Sequence, residues 1–559
     1  MTSPDLSRAD IGSRSLAVGF SFLALAAAAQ PPATKFVAFG WEFSRKSVRD
    51  LSAVVDSLDK TPLDGIGVYL NEPKPDGGMV STHNIMRESW DRKVLEPLVP
   101  VARDLTAHRS MKESFIGTFR APAGKRIEWD DDAGWANVAS NMAIAAWFAR
   151  EGGFRGLSMD PEDYHGTAQF QRRNDDPPFY EMVAFARRRG REVFSGVFRE
   201  FPEIRILSFW FLSMNLEAFG PTDLARDARE RGALWPAFVN GILDVLPPTA
   251  RIIDGDENAY GYDYDKHEYH VSACNQKMFA PLLLSPENRA KHAAQVQVSF
   301  GLYLDMYINP GPAWYKGPVG GSRLEHFRRD CADAFKLADE YVWLWGEKRL
   351  TIHWENVTFP SSVKSNETWA EALPGLYEAM RARNDASYLF RQRKNELAAK
   401  GLLKDMIENP ECRPDDESAK GRLPRPYTVY AGKGNPVFRL AEGAGDGDAS
   451  CIAVSGLKDG AILVNFGGRQ PHELYAVSCR MKGISPKAYI GWKDSSGNWA
   501  WHLGTKWLEF SLPDASGWQT GEAFVEVPEG ARGFAFGFCP EMDDGETVFI
   551  DNVHVWKLF

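Results

Sequence analysis

The chain has 559 residues, 44% of them hydrophobic and 25% charged, which fits a globular protein of two or three domains. A net charge of −10 with no basic stripe argues against a nucleic-acid partner. The 18 Trp, 17 Tyr and 34 Phe fill core and loop packing, and also supply aromatic planes on which apolar ring faces could stack.

At the start, Arg8 and Arg14 precede the apolar run 16–29 (LAVGFSFLALAAAA), followed by Gln30 and Pro31. A charged region, a short hydrophobic region and small residues at a cleavage point make residues 1–29 a signal-peptide expectation. The run is too short for a confident membrane span, and nothing later in the sequence is longer, so the expectation is an exported, soluble chain. Export permits disulfides. Of the six cysteines, Cys274, Cys331, Cys412, Cys451, Cys479 and Cys539, the last three are close enough in sequence for one bridge, and no C-x-x-C pair suggests a metal.

From residue 35 the chain alternates. Short β-type runs fall at 35–43, 65–71, 114–121, 154–160, 204–211, 251–260, 300–308 and 341–347. Helical patterns separate them, the clearer ones at 48–58, 135–151, 180–200, 235–246, 288–298 and 324–339, with a last one around 369–383. A segment at 94–105 reads as helical despite Pro97 and Pro100. Eight such β-α units over residues 33–402 predict a (β/α)8 barrel. A doubly wound sheet is the competing fold, and no G-x-G-x-x-G turn supports it. Residues 403–426, charged and carrying Pro410, Pro414, Pro424 and Pro426, read as a linker or clasp. Residues 427–559 hold short alternating runs between Gly, Asp, Ser and Pro, as in a β-sandwich or jelly roll.

The chemistry concentrates in FRGLSMDPEDY, residues 154–164. Pro161 cannot continue a central strand, so the strand stops at Asp160 and leaves Asp160, Glu162 and Asp163 at its C-terminal end, where parallel barrels hold their active sites. Asp163 is expected to be solvated, and Asp160 also suits a helix cap or turn. Other acids share such positions: Glu42 after the first run, Asp254, Asp256 and Glu257 after the sixth, Asp305 in the seventh, and Glu347 after the eighth. By alternation Glu347 shares a face with Trp343 and Trp345. Glu355 is the substitute for Glu347 if the eighth strand starts later.

Carboxylates that converge without metal or cofactor suit glycosidic bond cleavage, which needs one protonated carboxyl and one ionised nucleophile or base. The sequence implies no cofactor and no resident metal. His267 and His270 lie three apart in a polar loop, and the D-x-D-E pattern of Asp254, Asp256 and Glu257 is the one place suited to a structural cation.

The barrel segment resembles TIM-barrel glycoside hydrolases, and GLSMDPED is similar to the strand-four motif of chitinase-type enzymes, which ends in Asp-x-Glu with the Glu as general acid. In this chain Gly156 and Ser158 replace the upstream acids of that motif, a departure from substrate-assisted chemistry. The combination DPEDY, DGDENAY and YVWLWGE also resembles secreted bacterial hydrolase-like proteins. The C-terminal part resembles jelly-roll carbohydrate-binding modules through Trp518-Gln519, VPEGARGFAFGF and VFIDNVHVWKL, with Trp492, Trp499 and Trp501 as a platform. The resemblance implies a glycosidase acting on a poly- or oligosaccharide. Glu162 is its expected acid and Glu347 its second carboxylate, with Asp160 supporting and Asp254 and Glu257 as alternates. Trp41, Glu42, Tyr164, Tyr260, Asp305 and Trp314 are the expected substrate contacts. A glycan-binding protein on a degenerate barrel and a metal-dependent hydrolase remain the other readings.

Overall fold

The apolar runs of the first 350 residues become strands: β1 (Lys35–Gly40), β2 (Gly65–Val68), β3 (Phe115–Arg120), β4 (Gly156–Asp160), β5 (Arg205–Ser208), β6 (Arg251–Asp254), β7 (Val296–Val298), β8 (Phe300–Tyr303) and β9 (Tyr341–Gly346). This computed structural model describes residues 34–558 except 45, 121–124, 164–165, 219–223, 310–314, 319–322, 355–365, 384–385, 448–449, 472, 484, 541 and 543–544. The expected signal segment, Tyr164, Trp314 and Glu355 lie outside the described residues. No helix among the described residues is long and apolar enough to cross a membrane.

The nine strands form one parallel sheet in the order β8-β9-β1-β2-β3-β4-β5-β6-β7. Its two end strands are halves of one segment interrupted at Ser299: β7 pairs with β6 and β8 pairs with β9. The sheet is therefore nearly closed and barrel-like. Alternation sorts its side chains. Val37, Phe39, Phe115, Leu207, Ile253, Tyr341 and Trp343 fill the inside. Phe36, Ile66, Ile116, Leu157, Ile206, Ile252 and Val342 pack outward against helices.

The helices follow their caps. Helix α1 (Val48–Leu58) starts in a capping box, Ser47 with Asp50, and buries Val48, Leu51, Val55 and Leu58 at helical spacing. The expected helix at 94–105 forms: a turn at Arg92–Leu95 and a 3-10 turn at Glu96–Leu98 lead into Val99–Ala107 (α2), with Pro100 in its first turn, where no N–H is needed. Long helices α3 (Asp132–Glu151) and α4 (Phe179–Glu200) match their patterns. Helices α5 (Ser213–Ala218), α6 (Trp235–Val245) and α7 (Glu268–Met278) follow. The pattern at 288–298 divides: Pro286–Gln295 is helix α8, and Val296–Val298 is already strand. Helix α9 (Arg323–Leu337) precedes β9. The final pattern splits into Trp369–Ala372 (α10) and Leu376–Ala382 (α11) at Pro374-Gly375, where Gly375 is left-handed, and Ala386–Ala399 (α12) follows.

The C-terminal part is a separate antiparallel, barrel-like sheet region. Its longest strand, Ser450–Gly467 (second after Thr428–Glu442), pairs with Thr547–Lys557 along its first half and with Gly533–Phe538 along its second. Its core holds Ile452, Ile462, Val477, Ile490, Phe534, Phe536 and Val555. Residues 403–426 are not a free linker. Ile407, Cys412 and Leu423 belong to this core, and Met406 N–H donates to Val555 O while Val553 N–H donates to Pro410 O. All six cysteines are free thiols, so the bridge that the spacing of Cys451, Cys479 and Cys539 allows is not present.

Helices α12 and α9 join the two parts: from α12, Phe390 packs 5.4 Å from Phe524 and Lys394 lies 4.0 Å over Trp556, and from α9, Arg329 meets Glu526 at 3.0 Å. Phe390→Ala should destabilise by about 3–5 kcal/mol. Calorimetry should then resolve two unfolding transitions in place of one, and an unchanged single transition would show that this contact does not couple the parts.

Candidate active site

Inside the sheet, Phe39, Phe209 and Trp343 form an aromatic floor. Phe209 and Trp343 stack with centroids 4.4 Å apart and planes 7° off parallel, and Phe39 meets both rings edge-on at 5.0 and 5.9 Å. Above the floor, at the C-terminal ends of the strands, a small cavity of about 20 Å³ is lined by Trp41, Tyr69, His83, Thr118, Asp160 and Trp345 among others.

Strand β4 ends at Asp160 as the Pro161 argument requires, and Asp160 is buried against the pocket. Its Oδ1 accepts the Glu162 N–H at 3.3 Å. Asp163 is exposed but not merely solvated: its carboxylate caps the next turn, accepting from Thr167 N–H at 3.0 Å, Thr167 Oγ1 at 3.1 Å and Ala168 N–H at 2.5 Å.

The three acids after β6 point three different ways. Asp254 is fully buried and accepts N–H groups of Phe211, Leu212 and Ser213, each at 2.9 Å, and Ser213 Oγ at 2.5 Å. It ties the turn after β5 to the start of α5. Asp256 sits left-handed at φ +44°, and its carboxylate accepts from Ser272 Oγ, Gln276 Nε2 at 3.2 Å and Tyr262 OH at 3.4 Å. Glu257 joins the β4 acids. Burial first, then the negative charges of Asp160 and Glu162, push its carboxyl up to about 8. The D-x-D-E pattern is thus no single cation site, because neighbouring acids on this loop serve different partners.

A second acid pair stands on the neighbouring strands. Asp305 begins a short helical turn, Asp305–Ile308, rather than continuing its strand. Its Oδ2 accepts the Glu347 N–H at 2.9 Å, and burial with the Glu347 charge raises its pKa. Glu347 Oε1 accepts Trp345 Nε1–H at 3.1 Å, and Tyr303 hydrogen-bonds the same carboxylate. Tyr260 packs 5.4 Å from Trp343 and 5.1 Å from Tyr303, linking the Glu257 turn to this pair. Trp41 lines the pocket and meets Trp345 edge-on at 6.0 Å.

Glu42 departs from the expectation of a substrate contact. It is buried, and its oxygens accept Thr351 N–H at 2.8 Å, Thr351 Oγ1 at 2.6 Å and Trp354 Nε1–H at 3.2 Å. Burial pushes it up to about 7. It anchors the segment after β9.

Two pocket residues escaped the sequence reading. Tyr69 and His83 stack with planes 8° apart, His83 being carried by the turn after a hairpin of Asn71–Pro73 with Met79–Ser81. One His in a polar STHN stretch has no periodicity to mark it.

Behind the Glu257 turn lies a charged cluster of Asp263, His326 and Asp330, whose ligand atoms lie within 4.8 Å of one another. It is already saturated. His326 Nε2 faces Asp263 Oδ1 at 2.7 Å and Nδ1 faces Gly317 O at 2.6 Å, so both nitrogens donate and the ring is an imidazolium. The Lys316 ammonium supplies the other positive charge, 2.6 Å from Asp330 Oδ2. His267 and His270 stack edge-to-face at 6.0 Å and are not part of it.

No family model matches the sequence, and no curated protein does. Solved structures match in part. The enzymatically active domain of bacteriophage CBA120 tailspike protein 4 is 14% identical over 26% of this chain and 21% of that one, with a TM-score of 0.21. This chain thus spans about a fifth of the tailspike's length. A xylan-binding domain from Paenibacillus barcinonensis is 10% identical over 24% of this chain and 85% of its own, with a TM-score of 0.19. A C-terminal family 22 carbohydrate-binding module of Clostridium thermocellum is 14% identical over 26% and 98%, with a TM-score of 0.20. Likeness at this level carries no argument about function.

The raised carboxyl of Glu257 makes a stability prediction. Folding is favoured fully below the ordinary carboxylate range, where the group is protonated in both states, and that contribution is lost as pH rises toward 8. Melting temperatures of wild type and Glu257→Gln, compared from about pH 4 to pH 9, should diverge across that window with the wild type falling. A pH-independent difference would remove Glu257 from the acid group.

Proposed function

We propose that the chain is a glycoside hydrolase acting on O-glycosidic bonds of a poly- or oligosaccharide, with the parallel sheet as a (β/α)8 barrel and the C-terminal part as a jelly-roll sandwich. Residues 1–29 are its export signal in this reading. The feature that carries the proposal is Glu257, whose carboxyl is pushed up to about 8 by burial and by the nearby Asp160 and Glu162 at the C-terminal end of β4.

Glycoside cleavage needs this asymmetry. Glu257 supplies the proton to the leaving oxygen. Glu162 acts as nucleophile or as base toward a water, and Asp160 positions it through the Glu162 N–H. The acid role therefore moves from Glu162 to Glu257, because burial favours the neutral form there. Asp254, with its oxygens spent on backbone groups, is structural. Glu347 and Asp305, held by Trp345 and by each other, bind substrate hydroxyls on the adjacent strands. Trp41, Tyr69 and Trp345 offer ring faces to the sugar. The separation of the reacting carboxyl groups sets the stereochemistry, about 5–5.5 Å for retention and 6.5–9.5 Å for inversion.

Release of reducing ends from a polysaccharide panel tests the proposal. Glu257→Gln should lower kcat by about 10²–10⁴-fold with the fold intact. Wild-type kcat should fall on the alkaline side with a midpoint near 8, as Glu257 loses its proton, and a chelator should leave it unchanged. Glycan binding without release, or full turnover in Glu257→Gln, would replace this reading with a binding protein or a different acid.

A further inference from the structure

The C-terminal part carries an aromatic surface that the barrel does not use. Its strand Ala488–Lys493 turns Ala488, Ile490 and Trp492 into the core, so Trp492 is no platform residue. By alternation Tyr489 and Gly491 face outward. Both outward positions are shaped for flat rings. A Cβ at Gly491 would meet Trp499 Cζ3 at 2.6 Å, and one at Gly537, opposite Tyr489, would meet the Tyr489 ring at 2.5 Å. Glycines thus form troughs in which the rings lie on the sheet.

The rings continue outward. Trp501 stacks on Trp499 with centroids 4.7 Å apart and planes 14° off parallel, and it is 58% exposed. Trp507, on the edge strand Thr505–Trp507, lies 5.4 Å from Tyr489 and is 47% exposed. Large exposed aromatics buttressed in this way mark a recognition surface rather than core.

The surround is basic although the whole chain is acidic at −10. Lys493 Nζ lies 4.9 Å over Trp499 and Lys487 Nζ 5.1 Å over Trp507, while Lys506 and His502 are exposed beside them. Asp494, the acid nearest in sequence to Lys493, accepts from the N–H groups of Ser496 and Asn498 in an exposed turn at 2.8 and 2.9 Å. Glu509 lines one groove with Lys506 and Trp507, and so does Glu522, which is paired with Lys394 at 3.2 Å.

We infer that the Tyr489, Trp499, Trp501 and Trp507 face is a second glycan site, fitted to an acidic polysaccharide: its pyranose rings stack on Trp501 and Trp507, and its carboxylates meet Lys493 and Lys506. Neutral glycans lack the charge that this rim complements. The inference rests on the proposed glycan-directed function and adds a substrate class to it. The site tethers the enzyme to the polymer and leaves chemistry to the barrel.

Affinity electrophoresis of the full chain through gels with polygalacturonate, or with neutral hydroxyethyl cellulose, tests it. The Glu257→Gln form is the host, so that the polymer is not consumed. Polygalacturonate should retard it, less so at high salt, and hydroxyethyl cellulose should not. Trp501→Ala and Trp507→Ala should each weaken retardation about tenfold, a loss of about 1.4 kcal/mol, with unchanged melting temperature. In the active background, Trp501→Ala should leave hydrolysis of short soluble oligosaccharides unchanged. Equal retardation by the neutral polymer, retention of binding in Trp501→Ala, or self-association of the chain that Trp501→Ala abolishes would each overturn the site. Retardation without hydrolysis by the wild type would instead retire the hydrolase reading and keep this one.

Discussion

The placement of Trp343 is the constraint on which the site depends. Its ring stacks on Phe209 inside the sheet, and its Nε1–H donates to Gly255 O at 2.7 Å. One side chain therefore fills the interior and fixes the backbone two residues before Glu257. Gly255 has no room for a side chain there: a Cβ would meet Ser208 O at 2.6 Å, Phe209 O at 2.8 Å and Trp343 Nε1 at 2.9 Å. Burying aromatic rings of this size contributes on the order of 2–3 kcal/mol each, and the stacked geometry about 1 more. The floor of the pocket and the direction of its acid are thus set by the same contact.

Gathering carboxylates at one mouth is destabilising, and the fold contains the repulsion by dividing them. Asp254 and Asp163 are satisfied by N–H groups, Asp256 and Glu42 by hydroxyls, an amide and an indole. Asp305 and Glu347 form a pair of their own, and in the group of Asp160, Glu162 and Glu257 burial and the neighbouring acids push the Glu257 carboxyl up to about 8. Behind it, the ion cluster of Lys316, His326, Asp263 and Asp330 balances its own charges and holds the next turn to α9. The strained φ of Asp256 falls immediately before Glu257, as expected where surroundings dictate the backbone.

The C-terminal part is built on its preceding segment as much as on its own strands. Asp405 meets His554 at 2.5 Å, and Ile407 and Cys412 lie in the core, so proline-rich sequence becomes part of the sheet region. Prolines there end strands and fix turns without forfeiting burial, which composition alone does not reveal. Helix α12 and the Arg328–Arg329 pair then dock it on the barrel-like sheet through Phe524 and Glu526.

The strands were legible because buried parallel strands are short apolar runs with turn signals, a local pattern. The acids at the strand ends were legible too: Pro161 stops β4 at Asp160, and the face shared by Trp343, Trp345 and Glu347 follows from alternation. Loop direction was not. Asp254, Asp256 and Glu257 are nearly adjacent in sequence, yet one caps a turn, one holds α7 and one feels the charges of Asp160 and Glu162. Glu42 reads as a mouth residue and is a buried anchor. The sequence by itself determined which residues alternate and where strands stop, because those properties belong to a few consecutive residues. Only the tertiary structure decided which carboxyl keeps its proton, because that depends on burial and on charges brought from strands almost 100 residues apart in the chain.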